Sequence, residues 1–270
     1  MEAAFTRMPS GNDLFGLFLM FVRTLTVLAT APVFSSRVIP MIAKIGLAAI
    51  LSMLMMSVSG PAAPLVLPGS DQSLSIWPSH WLAVVLMVGQ EIMIGVIIGF
   101  VSNLVFFAVG MAASLMGLAV GFNAANLFDP MTTTPTTALE QMYTLLSITL
   151  FLAINGHHWF LLGLSRTFEV APLGAFVFQS ITVERLVFLT GETFATALRL
   201  ALPVMGALLL VDLGLGIVAR AVPQIQVFFL GLPVKEGFGY AALLLVFVLT
   251  IPLIKRLLGG MVANVLAVVR

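Results

Sequence analysis

Charge is what this chain has least of. Of 270 residues only 9% are Asp, Glu, Lys or Arg, against 60% hydrophobic, where a soluble globular chain averages about 25% charged residues. That scarcity excludes an ordinary water-exposed domain and leaves a membrane protein or a subunit whose surface is covered in an assembly. The formal net charge of +1 points to neither a nucleic-acid footprint nor a polybasic lipid anchor, so no nucleic-acid partner is expected. Cysteine is absent, which excludes disulfides, thiolate metal sites and a cysteine nucleophile without identifying a compartment. Internal repeats and low-complexity tracts are also missing.

What is present is a series of apolar runs, near 14–34, 38–59, 81–120, 139–164, 186–222 and 237–268. A bilayer core needs about 20 helical residues, so the count suggests six spans, or seven. The count fits badly. No residue from Ile92 to Phe128 is charged; as one helix that run would extend about 55 Å, too long for one straight span and slightly short for two with a turn. Arg23, Glu91, Arg199 and Asp212 lie inside or at the edge of runs, where each costs about 2.5–3.5 kcal/mol at a helix centre. They are expected to face protein or water. Lys and Arg are spread too thinly to set an orientation. Arg7, the run from Leu14 and Ala29-Thr30-Ala31 imitate a signal peptide, but Asp13, Arg23 and Pro32 interrupt the pattern; a retained first helix is expected.

Pro and Gly punctuate the runs. Pro32 and Pro40 bracket a break between the first two helices. Loops are expected at 60–81, with Trp77 and Trp81 suited to a membrane interface, at 128–140 and at 165–185. Thr136 or Thr137 is placed to cap the next helix, with Glu140 in a capping-box position. The runs 186–222 and 237–268 form a helical hairpin around a polar tip, 219–240, where Pro223 and Pro233 interrupt helix and Gln224 and Gln226 offer amides to freed backbone groups. The fold class is all-α, with long, broken, membrane-associated helices and helical hairpins.

Catalytic constellations are weak. His157 and His158 are adjacent, so on a helix they point about 100° apart and cannot chelate one ion; a helix-end or interface pair is expected, with no metal and no cofactor. Asp212 and Arg220 lie about 80° apart on one helix, so each should meet a neighbouring helix or subunit, while Glu192 and Arg199 share a face. The Gly95–Gly99 and Gly117–Gly121 spacings permit close helix approach. Methionine and phenylalanine, 15 and 21 residues, mostly fill cores. The stretch "GLAVGFNAANLFDPMTTTP" (117–135) dissolves into small and polar residues around Phe122, Leu127 and Phe128. It reads either as an anchored loop or as a re-entrant segment lining or blocking a passage, since irregular backbone at depth is tolerated only beside protein or water.

"APVFSSRVIP" (31–40), "GLAVGFNAANLFDP" (117–130), "LFLAINGHHW" (150–159), "FEVAPLG" (168–174) and "DLGLGIVARAVPQIQVFFLGLPVKEG" (212–237) together resemble the FliR family of type III secretion export-gate subunits and its injectisome relatives. The resemblance covers most of the chain; Gln226 stands where family members often have Asn. It implies a FliP-like part over 1–185 followed by a FliQ-like helical hairpin over 186–270. It also implies a non-enzymatic subunit of the flagellar export gate in the bacterial inner membrane, within the basal body. The implied partners are FliP-like and FliQ-like subunits, other export-apparatus membrane proteins and unfolded protein substrates. By the same resemblance Gly117, Gly121, Phe122, Asn126, Leu127, Phe128, Asp129 and Pro130 belong to a channel plug. Asp212, Arg220, Pro223, Gln224, Gln226, Phe228, Gly231, Pro233 and Lys235 belong to subunit interfaces or the channel entrance. The competing readings are an injectisome gate subunit, a secondary transporter, for which no repeated half is visible, and an intramembrane enzyme built on the two histidines.

Overall fold

A chain this apolar satisfies its backbone polar groups internally, and helix is the local way to do so. The computed structural model describes residues 11–36, 39–59, 81–122, 137–174, 180–222 and 227–269, and every regular element among them is a helix. These are α1 (Gly11–Thr30), α2 (Met41–Ser59), α3 (Trp81–Val120), α4 (Ala138–Ala153), α5 (Gly156–Val170), α6 (Ser180–Ala221) and α7 (Val227–Val269). Among the described residues five stretches are long and apolar enough to cross a membrane: Asp13–Thr30, Trp81–Val120, Ser180–Ala221, Gly231–Val248 and Thr250–Val269; α4 with α5 makes a sixth if the pair is one span.

The boundaries follow local chemistry. α1 stops at Thr30, two residues before Pro32, and α2 starts immediately after Pro40. α3 has no proline and runs unbroken for 40 residues, about 60 Å, so the long uncharged run is one helix as far as Val120. Thr137 caps α4, its hydroxyl accepting from the Glu140 N–H at 3.1 Å. Three expectations need correction. The loop expected at 165–185 is shorter, because α5 continues to Val170 and α6 already starts at Ser180; Pro172 sets the stop. The run 139–164 is broken at Ile154–Asn155, where Asn155 takes a left-handed φ of 57°. Pro233 does not interrupt helix: it lies within α7, as Pro252 does, and Pro203 lies within α6. Each removes one backbone donor while its neighbours hold the helix.

The chain forms two compact units, each discontinuous in sequence, and α3, α6 and α7 contribute to both. The first contains residues 1–103, 157–187 and 261–270. Here α1 packs on α2, and α3 approaches α1 closely at the Gly95–Gly99 pair. A Cβ on Gly95 would lie 2.6 Å from Thr26 Cβ, and one on Gly99 2.5 Å from Thr30 Cβ. Asn103 closes the contact by donating to the Thr30 carbonyl. Phe34 stacks on Phe160 at 6.0 Å, and Arg185 donates to the Ala267 carbonyl near the end of α7. The second unit contains 104–156 and 188–260. Its core holds Ala108, Ala112, Tyr143, Phe151, Val204 and Leu208, all buried, with Phe106 edge-on to Phe151 at 5.9 Å and Tyr143 edge-on to Phe247 at 6.3 Å.

Candidate functional site

The described part of the 117–135 stretch, 117–122, spans the end of α3. Gly121 has φ 103° and its N–H bonds the Gly117 carbonyl at 3.1 Å. Left-handed backbone past the last helical residue is the usual glycine stop, so Gly121 turns the chain out of α3. A Cβ on Gly117 would make only ordinary contacts, with Thr137 at 3.4 Å and Leu139 at 3.8 Å; the second small-residue pair is not a close helix crossing of the Gly95–Gly99 kind. Phe122 lies 5.6 Å from Tyr240 between ring centroids, Gly121 faces Leu232, and Gly239 admits Val120 so closely that a Cβ there would sit 2.7 Å from it. The first part of α7 is therefore the seat for the end of α3. Asn126, Leu127, Phe128, Asp129 and Pro130 lie outside the described residues.

The same part of α7 carries the polar groups of the tip. Lys235 Nζ reaches Asp212 Oδ2 of α6 at 2.9 Å, and one turn nearer the tip a Cβ on Gly231 would lie 3.4 Å from Leu215. The two helices thus run side by side near their connection, and Asp212 meets a neighbouring helix, not Arg220. Arg220 is exposed in the last turn of α6, where a cation complements the helix dipole. Phe228 lies in the first turn of α7 and Pro233 is exposed within it. Pro223, Gln224 and Gln226 lie outside the described residues. The structure thus joins the start of the 117–135 stretch to the first part of α7 through Leu232, Gly239 and Tyr240, three residues that the sequence reading did not name individually.

A second constellation lies in the first unit. Arg23 of α1 and Glu91 of α3 form an ion pair, Nε to Oε2 at 2.6 Å, with both side chains 0% exposed. Arg23 Nη1 also donates to the Thr167 and Ala171 carbonyls at 3.2 and 2.9 Å. These belong to the end of α5 and the residue just after it, where helix carbonyls lack internal donors. Glu91 Oε1 accepts the Gly174 N–H at 3.0 Å, and the guanidinium lies 4.5 Å from the centre of the Phe168 ring. Two charges that membrane insertion disfavours become a clasp holding α1, α3 and the end of α5. The signal was in the sequence as two isolated, opposite charges in apolar runs; their pairing was not.

His157 and His158 open α5, at a helix end as expected. His158 is exposed and meets Trp159 edge-on. Among the described residues no three His, Asp or Glu side chains converge as a metal site would require. Glu192 and Arg199 both point outward from α6.

Residues 14–261 match the model of the family described as bacterial export proteins, family 1. The chain is similar to the flagellar biosynthetic protein FliR of Escherichia coli (strain K12), 32% identical over 93% of this chain and 90% of the relative. The protein of that name from Pectobacterium carotovorum subsp. carotovorum is 33% identical over 89% and 87%. The one from Bacillus subtilis (strain 168) is 30% identical over 93% and 98%.

Proposed function

The chain belongs to the bacterial export proteins, family 1, and from that membership we propose that it is a non-enzymatic core subunit of the flagellar type III protein export gate. With FliP-like and FliQ-like subunits in the bacterial inner membrane, at the flagellar basal body, it forms the passage for unfolded flagellar proteins. Residues 1–185 are its FliP-like part and 186–270 its FliQ-like hairpin. The relatives above are flagellar, which favours this branch over the injectisome.

One observation carries the reading. α6 is 42 residues long, only 17% of its most apolar stretch is buried, and Glu192, Arg199 and Arg220 stand exposed along it. Glu192 and Arg199 share a face seven residues apart, and Arg220 falls within about 60° of Arg199. Lipid does not accommodate charges spaced in this way along a helix, and water does not accommodate the leucines and the phenylalanine between them. Neighbouring helices that bring both apolar area and countercharge do. A subunit of a helical assembly needs such a surface; a self-contained transporter does not.

The plug residues belong to the same proposal. The stretch from Gly117 leaves a fixed seat on α7, and its aromatic and aliphatic side chains exclude water and ions by apolar packing. The test is co-expression with the candidate partner subunits, with a tag on this chain alone, followed by the mass of the detergent-purified particle. A discrete hetero-complex is expected, weakened by Glu192→Ala/Arg199→Ala. A stable particle of this chain alone, with both partners demonstrably expressed, overturns the reading. In the reconstituted complex, shortening 123–130 should raise ion conductance; background conductance would assign the seal to another subunit.

A further inference from the structure

α7 changes character part-way along. Up to Val248 it presents large apolar side chains outward: Phe238, Leu244, Leu245 and Val248 are all exposed, the last at 70%. Beyond Val248 no large apolar side chain among the described residues of α7 is exposed. Ile254, Leu258, Met261, Val265 and Val268 are buried, and the exposed positions are small or polar, such as Gly259, Ala263 and Asn264. The later stretch therefore keeps its large apolar side chains at least partly covered by the chain itself, and the earlier one does not.

Lys255 and Arg256 stand at that change. They are the only charged residues from Gly237 to Val269, both are exposed, and neither has an acidic partner among the described residues. Helical periodicity puts Lys255 within about 20° of Leu244 and Val248, and Arg256 within about 20° of Leu245. The outward apolar stripe thus ends in two adjacent cations on its own face. Pro252, one turn before them, lacks the N–H that would bond the Val248 carbonyl, so a backbone acceptor is also released at this level. At the other end the stripe is bounded by Lys235 and Glu236, and Lys235 already has its partner in Asp212. The uncharged stretch 237–254 between the two charged levels is about 27 Å long, close to the hydrocarbon thickness of a bilayer.

We propose that Lys255 and Arg256 bind the phosphate of an anionic lipid headgroup, with its acyl chains lying along the Phe238–Val248 face of α7. The chemistry suits the site. Long cationic side chains at the edge of an apolar stretch lay their stems on apolar surface and carry the charge to the headgroup level, and adjacent Lys and Arg prefer anionic over zwitterionic lipid. α6 differs because its charges recur along the whole helix; on this face of α7 they occur only at the ends, as a lipid-covered surface requires.

The test is native mass spectrometry of the full chain in detergent, titrated with phosphatidylglycerol or phosphatidylcholine. The wild-type chain is expected to retain phosphatidylglycerol about tenfold or more in preference. Lys255→Gln/Arg256→Gln should bring the two lipids to parity, and Lys255→Arg/Arg256→Lys should keep the preference. Size-exclusion profiles establish that the variants are folded. Equal retention of both lipids by the wild type, or an undiminished preference in the double Gln variant, overturns the proposal. Because the chain has no cysteine, a nitroxide on Val248→Cys is unique in proteoliposomes. Relaxation by dissolved oxygen and not by a water-soluble nickel complex is expected. Protection from both would assign this face to a protein partner and overturn the lipid reading.

Discussion

α3 and α6 are nearly the same length, 40 and 42 residues, and both are apolar enough to cross a membrane. In α3, 61% of the most apolar stretch is buried, against 17% in α6. Their charges differ in the same sense. The one charge of α3, Glu91, is fully buried and bonded to a cation and a backbone N–H. α6 carries Glu184, Arg185, Glu192, Arg199, Asp212 and Arg220; among the described residues Arg185 bonds the Ala267 carbonyl and Asp212 pairs with Lys235. A helix that folds against its own chain needs each charge neutralised there. One that folds against other chains leaves its charges facing outward, with an uncovered apolar surface between them. The contrast separates what stabilises the chain from what, on the function proposed above, it offers to partner subunits.

The comparison breaks most visibly at Glu91. Glu91→Ala leaves Arg23 buried without its carboxylate and should destabilise the chain by about 3–5 kcal/mol, read as a lower thermal midpoint in detergent. A variant as stable as the wild type would show that the clasp is replaceable by water or repacking. At Gly99, whose added Cβ would press on Thr30, Gly99→Ala should lose about 1–3 kcal/mol by overpacking. Gly110→Ala, in the same helix with open space around it, should gain up to about 1 kcal/mol from helix propensity. Equal shifts would mean that α1 and α3 are not in close contact. The smallest effect is expected at the tip. Asp212 is 46% and Lys235 23% exposed, and a double-mutant cycle with alanine should give a coupling of at most about 1 kcal/mol. A coupling several times larger would place this pair in a drier setting than its exposure indicates.

The ends of helices were readable where proline or a cap fixes them, as at Pro32, Pro40 and Thr137. They were misread where the determinant is tertiary. Pro233 looked like a break and is not, because one missing donor near the start of a 43-residue helix is tolerated when the rest of the helix is held. The break at Asn155 was hidden within an apolar run, since an isolated Asn-Gly in such a run specifies no particular geometry until Phe151 packs beside Gly156. The two glycine pairs have the same spacing, yet only Gly95–Gly99 receives a neighbouring helix.

By itself the sequence determined that the chain is helical, membrane-associated and short of aqueous surface, because 60% hydrophobic content with 9% charge permits little else. The order of its motifs determined the family. Tertiary structure alone decided that Arg23 meets Glu91, that the end of α3 rests on Leu232, Gly239 and Tyr240, and that α6 stays uncovered while α3 does not. The physical reason is range. Composition and periodicity act over a helical turn or a single span, whereas a buried charge finds its partner across 68 residues of chain, by a geometry that only the assembled helices define.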